Sequence, residues 1–231
     1  MKQGIFEQCL LAKYPIGKRI AMDDWVLRYC KALSALEEKW GAANGDALHE
    51  QATAVVAVAG ALSLTVVGNF TVDQFKNGYI NIWTATPQPN LRVKGNDVGD
   101  GTNTVIHLKD PLLYDVPLPT DTDLHANLYL NVTTKRGVGT APFTSVVVIP
   151  FIPITIGYHF WGLTHGPAVG VAAAGGGIGA NAMERSVYFQ ADGAIGLQSD
   201  IVGTVDCQRA GFMLADTTLG DDIFFMLQLA S

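Results

Sequence analysis

Ile223-Phe224-Phe225-Met226-Leu227-Gln228-Leu229 alternates strictly. Ile223, Phe225, Leu227 and Leu229 fall on one side of an extended chain, with Phe224, Met226 and Gln228 on the other. Successive side chains of a strand point to opposite faces of the pleat, so this period of two predicts a strand with one face in a core. The pattern recurs. Leu124, Ala126, Leu128, Leu130 and Val132 alternate with His125, Asn127, Tyr129 and Asn131, predicting one strand over Leu124–Val132. Shorter examples are Tyr79 to Thr84, Thr104 to Leu108 and Ser186 to Gln190. Ser145 to Ile149 (SVVVI) is continuously apolar, the mark of a strand covered on both faces.

Turn signals separate these runs: Lys76-Asn77-Gly78, Gly99-Asp100-Gly101, Asp192-Gly193 and Leu219-Gly220-Asp221. Many short strands at such spacing predict an all-β sandwich or barrel-like body. Ala52 to Val67 (ATAVVAVAGALSLTVV) is nearly free of polar side chains, but it is shorter than the ~20 apolar residues of a membrane-spanning helix. It reads as two short strands turning near Gly60. Trp25 to Trp40 is ambiguous. Trp25, Tyr29, Leu33, Leu36 and Trp40 recur at helical intervals behind Asp23-Asp24, yet Trp25, Leu27 and Tyr29 also alternate as a strand would.

Residues 1–22 carry Ile5, Phe6, Leu10, Tyr14 and Ile16 at intervals without a sustained period. They read as an extended N-terminal arm, packed either on a neighbouring subunit or as a strand of the domain itself. In the first case those five residues are the partner contacts. Residues 23–231 form the β-rich body. Proline-punctuated Pro111–Pro119 and Pro142–Pro153 read as links, placing a subdomain boundary near 135–142.

Composition excludes several function classes. The 231 residues are 48% hydrophobic and only 16% charged, against roughly a quarter charged in an ordinary soluble domain. A net charge of −6, with no Lys/Arg run longer than a pair, disfavours nucleic acid as a direct partner. Cys9, Cys30 and Cys207 are scattered and odd in number, so neither a disulfide framework nor a zinc knuckle is indicated, and a reducing compartment fits. No secretory signal opens the chain, and no membrane association is expected. Sparse charge points instead to surface covered in an assembly.

Motifs that carry chemistry are weak. Gly177-Ile-Gly179-Ala-Asn-Ala182, within the Gly175–Gly179 run, fits a loose dinucleotide loop, but too few residues follow it for a crossover helix. His49-Glu50 opens a zinc-protease string that Thr53 breaks, since the second histidine is missing. His159 and His165 flank an aromatic run and lack a third ligand in sequence. Asn96 to Gly101 is acidic and glycine-rich without the oxygen spacing of a calcium loop. No catalytic residue, metal or cofactor is therefore expected. A β-barrel hydrolase or a nucleotide binder using the Gly177 loop is the enzymatic alternative.

Five strings together resemble the capsid decoration, or cement, proteins of tailed bacteriophages: Trp25 to Gly41; Ala52 to Val67 with Gly78 to Trp83; Leu91 to Asn96 with Val105 to Leu112; Tyr158 to Gly162 through Gly166-Pro-Ala168; and Gly211 to Ala215 with Ile223 to Leu227. The resemblance implies a strand over Trp25–Cys30 followed by a short helical turn over Ser34–Glu38. It also implies a non-enzymatic virion protein, made in the host cytoplasm and placed on the outer capsid surface. There it would bridge subunits of the major capsid protein, as a homo-oligomer for which a trimer suits capsid symmetry. The alternative within the virion is a tail, neck or head-fibre component.

Overall fold

The computed structural model describes residues 2–45, 49–84, 89–134, 145–173, 185–198, 208–215 and 222–230. Its strands, in chain order, are β1 (Arg19–Met22), β2 (Trp25–Lys31), β3 (Ala42–Asn44), β4 (His49–Ala52), β5 (Ser63–Val67), β6 (Tyr79–Trp83), β7 (Leu91–Asn96) and β8 (Asn103–Leu108). They continue with β9 (Asp121–His125), β10 (Val132–Thr134), β11 (Val146–Pro150), β12 (His159–Gly170), β13 (Ser186–Phe189), β14 (Ile195–Gly196), β15 (Arg209–Met213) and β16 (Ile223–Gln228). The fold is all-β, as the alternation requires. Two compact units divide it: residues 1–45 with 129–231, and residues 46–128.

That division corrects the expected boundary near 135–142. The second unit is inserted between β3 and β10. These two strands lie side by side, Val132 opposite Asn44, and the Gly45 N–H donates to the Asn131 carbonyl at 2.9 Å, so the chain leaves and re-joins the first unit at neighbouring points. Residues 135–144 themselves lie outside the described residues. The long alternating run is corrected for the same reason. Leu124–Val132 is not one strand but the end of β9 and the start of β10, with the division between the units falling after Leu128.

The first unit is built around β12, twelve residues long. Its first half pairs with β2 and its second half with β16, antiparallel in both cases. At the changeover the buried Thr164 hydroxyl lies 3.1 Å from the Val26 carbonyl and 2.8 Å from that of Ala230. The sheet runs β10-β3-β11-β12-β16-β15-β13-β14, with β2 and then β1 attached at β12. Its central strands are buried on both faces. Leu27, Tyr29, Trp161, Leu163, Phe225 and Leu227 enter one core, while Cys30, Ala32, Val148 and Phe160 enter another. The continuous apolar run at Ser145–Ile149 is explained by this, since every residue of β11 is buried. Each large side chain so enclosed contributes about 1.5–3 kcal/mol of hydrophobic stabilisation.

Trp25 to Trp40 resolves to β2 and no helix. In place of the expected turn over Ser34–Glu38, Leu36 bridges Ile154 through reciprocal N–H···O bonds of 2.9 and 2.8 Å. Burying Leu36 against the Ile154 segment outweighs the weak helical bias of so short a stretch.

The second unit is a six-stranded antiparallel sheet, β4-β9-β6-β7-β8-β5. It curls until its two edges meet. Thr53, just after β4, bridges Val66 of β5, and the Ala54 N–H donates to the Thr65 carbonyl at 2.8 Å. Closure hides edges that would otherwise template aggregation. Leu64, Val66, Ile80, Ile82, Val93, Ile106 and Leu124 fill the interior with Phe75. In Ala52–Val67, Ala52 ends β4, and the one strand that lies wholly within the stretch is β5, after the turn at Gly60. Pro111–Pro119 is no linker either: it pairs with the residues before Gly60.

Candidate interaction surfaces

The N-terminal segment is docked on its own unit. Cys9 and His159 exchange backbone bonds of 2.9 and 2.8 Å, and β1 pairs with β2 over Arg19–Met22. Gln3 is the deepest anchor. Its amide nitrogen donates to the His159 carbonyl at 2.9 Å, and its amide oxygen accepts from the Tyr29 hydroxyl at 2.6 Å. Of the five expected contact residues, Ile5, Tyr14 and Ile16 pack against the first core, so they are occupied within the chain. Tyr14 sits edge-on to Tyr29 and tilted on Trp161. Phe6 and Leu10 face outward, each 59% exposed, and Leu11 beside them is 70% exposed.

His159 fastens the same joint. Its Nδ1 lies 3.2 Å from the carbonyls of both Cys9 and Leu10, so this nitrogen carries the proton. Burial holds its pKa below the ordinary histidine value, and the nearby Lys31 charge pushes the same way against the two carbonyls. It is a structural histidine. His165, six residues on in β12, pairs with Val26 and Gln228. His49 and Glu50 lie on a strand, where the spacing of a zinc helix has no meaning. Among the described residues, no group of three His, Cys, Asp or Glu is placed to hold a metal ion. The Gly177 loop lies outside the described residues. Asn96 to Gly101 closes the β7–β8 hairpin: Asp100 accepts from the N–H groups of Thr102 and Asn103, which lowers its pKa.

The second unit carries an apolar lobe. Residues 53–62 and 112–120 lie against each other, with Ala57 and Val116 bonded reciprocally, the Gly60 N–H on the Leu112 carbonyl and the Leu112 N–H on that of Ala61. Ala57, Leu112 and Val116 of the pairing turn inward to the core, with Ala61 packed against it, and Thr53 and Thr120 are buried at the ends of the segments. Val55, Val56, Val58, Leu62, Leu113, Tyr114 and Leu118 point out, each between 45% and 61% exposed. Asp115 is the one charge in these two segments, and it accepts from the Ala59 N–H at 2.8 Å. At such exposure these side chains present on the order of 600 Å² of apolar surface, the upper end for an ordinary monomer. The sequence signalled this lobe as the polar-free run at Ala52–Val67 without showing which residues faced out.

Two of the clefts among the described residues are large. One, of about 580 Å³, lies on the first unit between Trp25, Phe151, Pro167, Val169 and Phe224. The Trp25 indole N–H donates to the Pro167 carbonyl at 2.9 Å. The second, of about 570 Å³, lies on the other unit and is lined by Glu50, Gln51, Trp83, Asp121 and Asp123.

No family model, curated protein or solved structure matches the chain.

Proposed function

We propose that this chain is a non-enzymatic virion protein that decorates a tailed-phage capsid and stabilises it by bridging major capsid protein subunits. The observation that carries the reading is the apolar lobe of the second unit. A weakly charged protein that leaves Val55, Val56, Val58, Leu62, Leu113, Tyr114 and Leu118 in water has a surface suited to permanent cover. Phe6, Leu10 and Leu11 give the first unit an apolar surface of its own, so one chain can hold more than one neighbour. Aliphatic contacts of this kind are modest singly, and repetition over a lattice multiplies them into avidity. The strings that resemble those of decoration proteins support the same reading.

The test is co-sedimentation of the purified chain with expanded capsids lacking it. The reading expects saturable binding, and it expects the double variant Val56→Asp, Tyr114→Asp to bind at least about tenfold more weakly, as loss of a central apolar contact does. Absence of binding by the unaltered chain contradicts the proposal. A second reading, a tail, neck or head-fibre component that adheres to a receptor, draws on the exposed Trp83 and Tyr79.

A further inference from the structure

The outer face of β4, β9 and β6 differs from the apolar lobe in kind. Ile80, Ile82, Thr122 and Leu124 turn into the unit, so their alternates face outward: Tyr79, Asn81 and Trp83 on β6; Asp121, Asp123 and His125 on β9. Register sets them in rows. Trp83 stands opposite Asp121, Asn81 opposite Asp123, and Tyr79 opposite His125. On the far side of β9, Glu50 stands opposite Asp123 and Ala52 opposite Asp121. Arg92 of β7 stands opposite Tyr79.

Trp83 is 62% exposed, and its indole N–H donates to Asp123 Oδ2 at 2.7 Å. This bond fixes the ring where burial does not. An indole left this exposed keeps apolar ring area in water. Tyr79, four residues along the same strand and 43% exposed, gives a second ring about 13 Å away. Carboxylates and an amide fill the space between the rings. The cleft beside Trp83, about 570 Å³, is of ligand-binding size.

We infer that this strip binds an extended, uncharged pyranose oligosaccharide. One face of a pyranose ring is a layer of C–H bonds, weakly positive, which packs on the negative face of an indole or phenol ring. Its hydroxyls are donors, and Asp121, Asp123, Glu50 and the Asn81 amide oxygen are acceptors, charge-assisted where ionised. Two rings about 13 Å apart along one strand fit separated sugars of one straight chain better than a single sugar. Three carboxylates against the single guanidinium of Arg92 leave the strip net negative, which disfavours anionic ligands such as nucleic acids, despite their stacking bases, and polyuronates as well. The inference does not depend on where in a particle the chain sits.

Isothermal titration of the full chain with cellohexaose and with chitohexaose tests it, beside hexagalacturonate and hexalysine as charged controls. At least one neutral hexasaccharide is expected to bind saturably, with Trp83→Ala weakening it by about tenfold or more and Asp121→Asn acting in the same direction. Both residues are exposed, and circular dichroism with thermal unfolding checks that each variant keeps its fold. Failure of both neutral hexasaccharides at millimolar concentration overturns the inference. So does undiminished binding by the folded Trp83→Ala variant, or preference for hexagalacturonate or hexalysine, the last of which would reassign the strip to a cationic peptide.

Discussion

His159 joins the N-terminal segment to the sheet through ring and backbone together, and its protonation opposes that joint. Its folded-state pKa lies below the ordinary value, so the neutral ring belongs to the docked state. The stabilisation is complete above the unfolded value of about 6.5 and is lost as pH falls from there toward the folded pKa, because the undocked state takes up the proton first. The groups around it are the Cys9 and Leu10 carbonyls, the Tyr29 ring stacked at 5.9 Å and Lys31 across the strand pair. Protection of the Cys9 amide against hydrogen exchange should therefore fall between pH 7 and pH 5, corrected for intrinsic rates. In His159→Gln that pH dependence should flatten. Gly78 makes a different demand: a Cβ there would collide with the His125 carbonyl. Gly78→Ala should lower the stability of the second unit by about 1–3 kcal/mol, read from urea unfolding. The turn at Lys76-Asn77-Gly78 was legible, and Asn77 does adopt φ 59°. The Gln3–Tyr29 bond was not, because no local pattern announces a polar pair 26 residues apart that is buried by the fold around it.

Elements with a covered face on one side were readable, since burial of alternate residues writes itself directly into the sequence. β6, β8, β13 and β16 lie where the period placed them, within a residue or so at each end. Leu124–Val132 misled for a physical reason. Alternation records that side chains are buried by turns, not that one core buries them: Leu124 and Ala126 serve the second unit's core, and Val132 the first unit's. Leu36 misled likewise, because its partner Ile154 lies far along the chain. Among the proposed contact residues, Ile5, Tyr14 and Ile16 are partly buried against their own core, while Phe6 and Leu10 are exposed. Substituting Phe6, Leu10 and Leu11 together by Ser should change thermal stability by under about 1 kcal/mol, apart from the Phe6 contact with Phe151. The same variant should weaken capsid attachment several-fold in co-sedimentation. By contrast, Phe225→Ala in the core should cost about 3–5 kcal/mol.

At the scale of the molecule, an insertion is invisible to any local pattern, because what defines it is that β3 and β10 pair across the 87 residues between Asn44 and Val132. Joining residue 45 to residue 129 through a short glycine linker should leave the first unit folded, as judged by its β-rich circular dichroism and a cooperative thermal transition. A scaffold assembled this way presents the apolar lobe on one unit and Phe6, Leu10 and Leu11 on the other. Their joint use on a capsid lattice is the central proposal. Cryo-electron microscopy of intact particles, with copy number from quantitative mass spectrometry, tests it most directly. Density is expected on the outer shell at a copy number comparable with the major capsid protein, with the lobe against a neighbouring subunit. A dozen copies or fewer, confined to the neck or tail, or a lobe left in solvent on the shell, would contradict it.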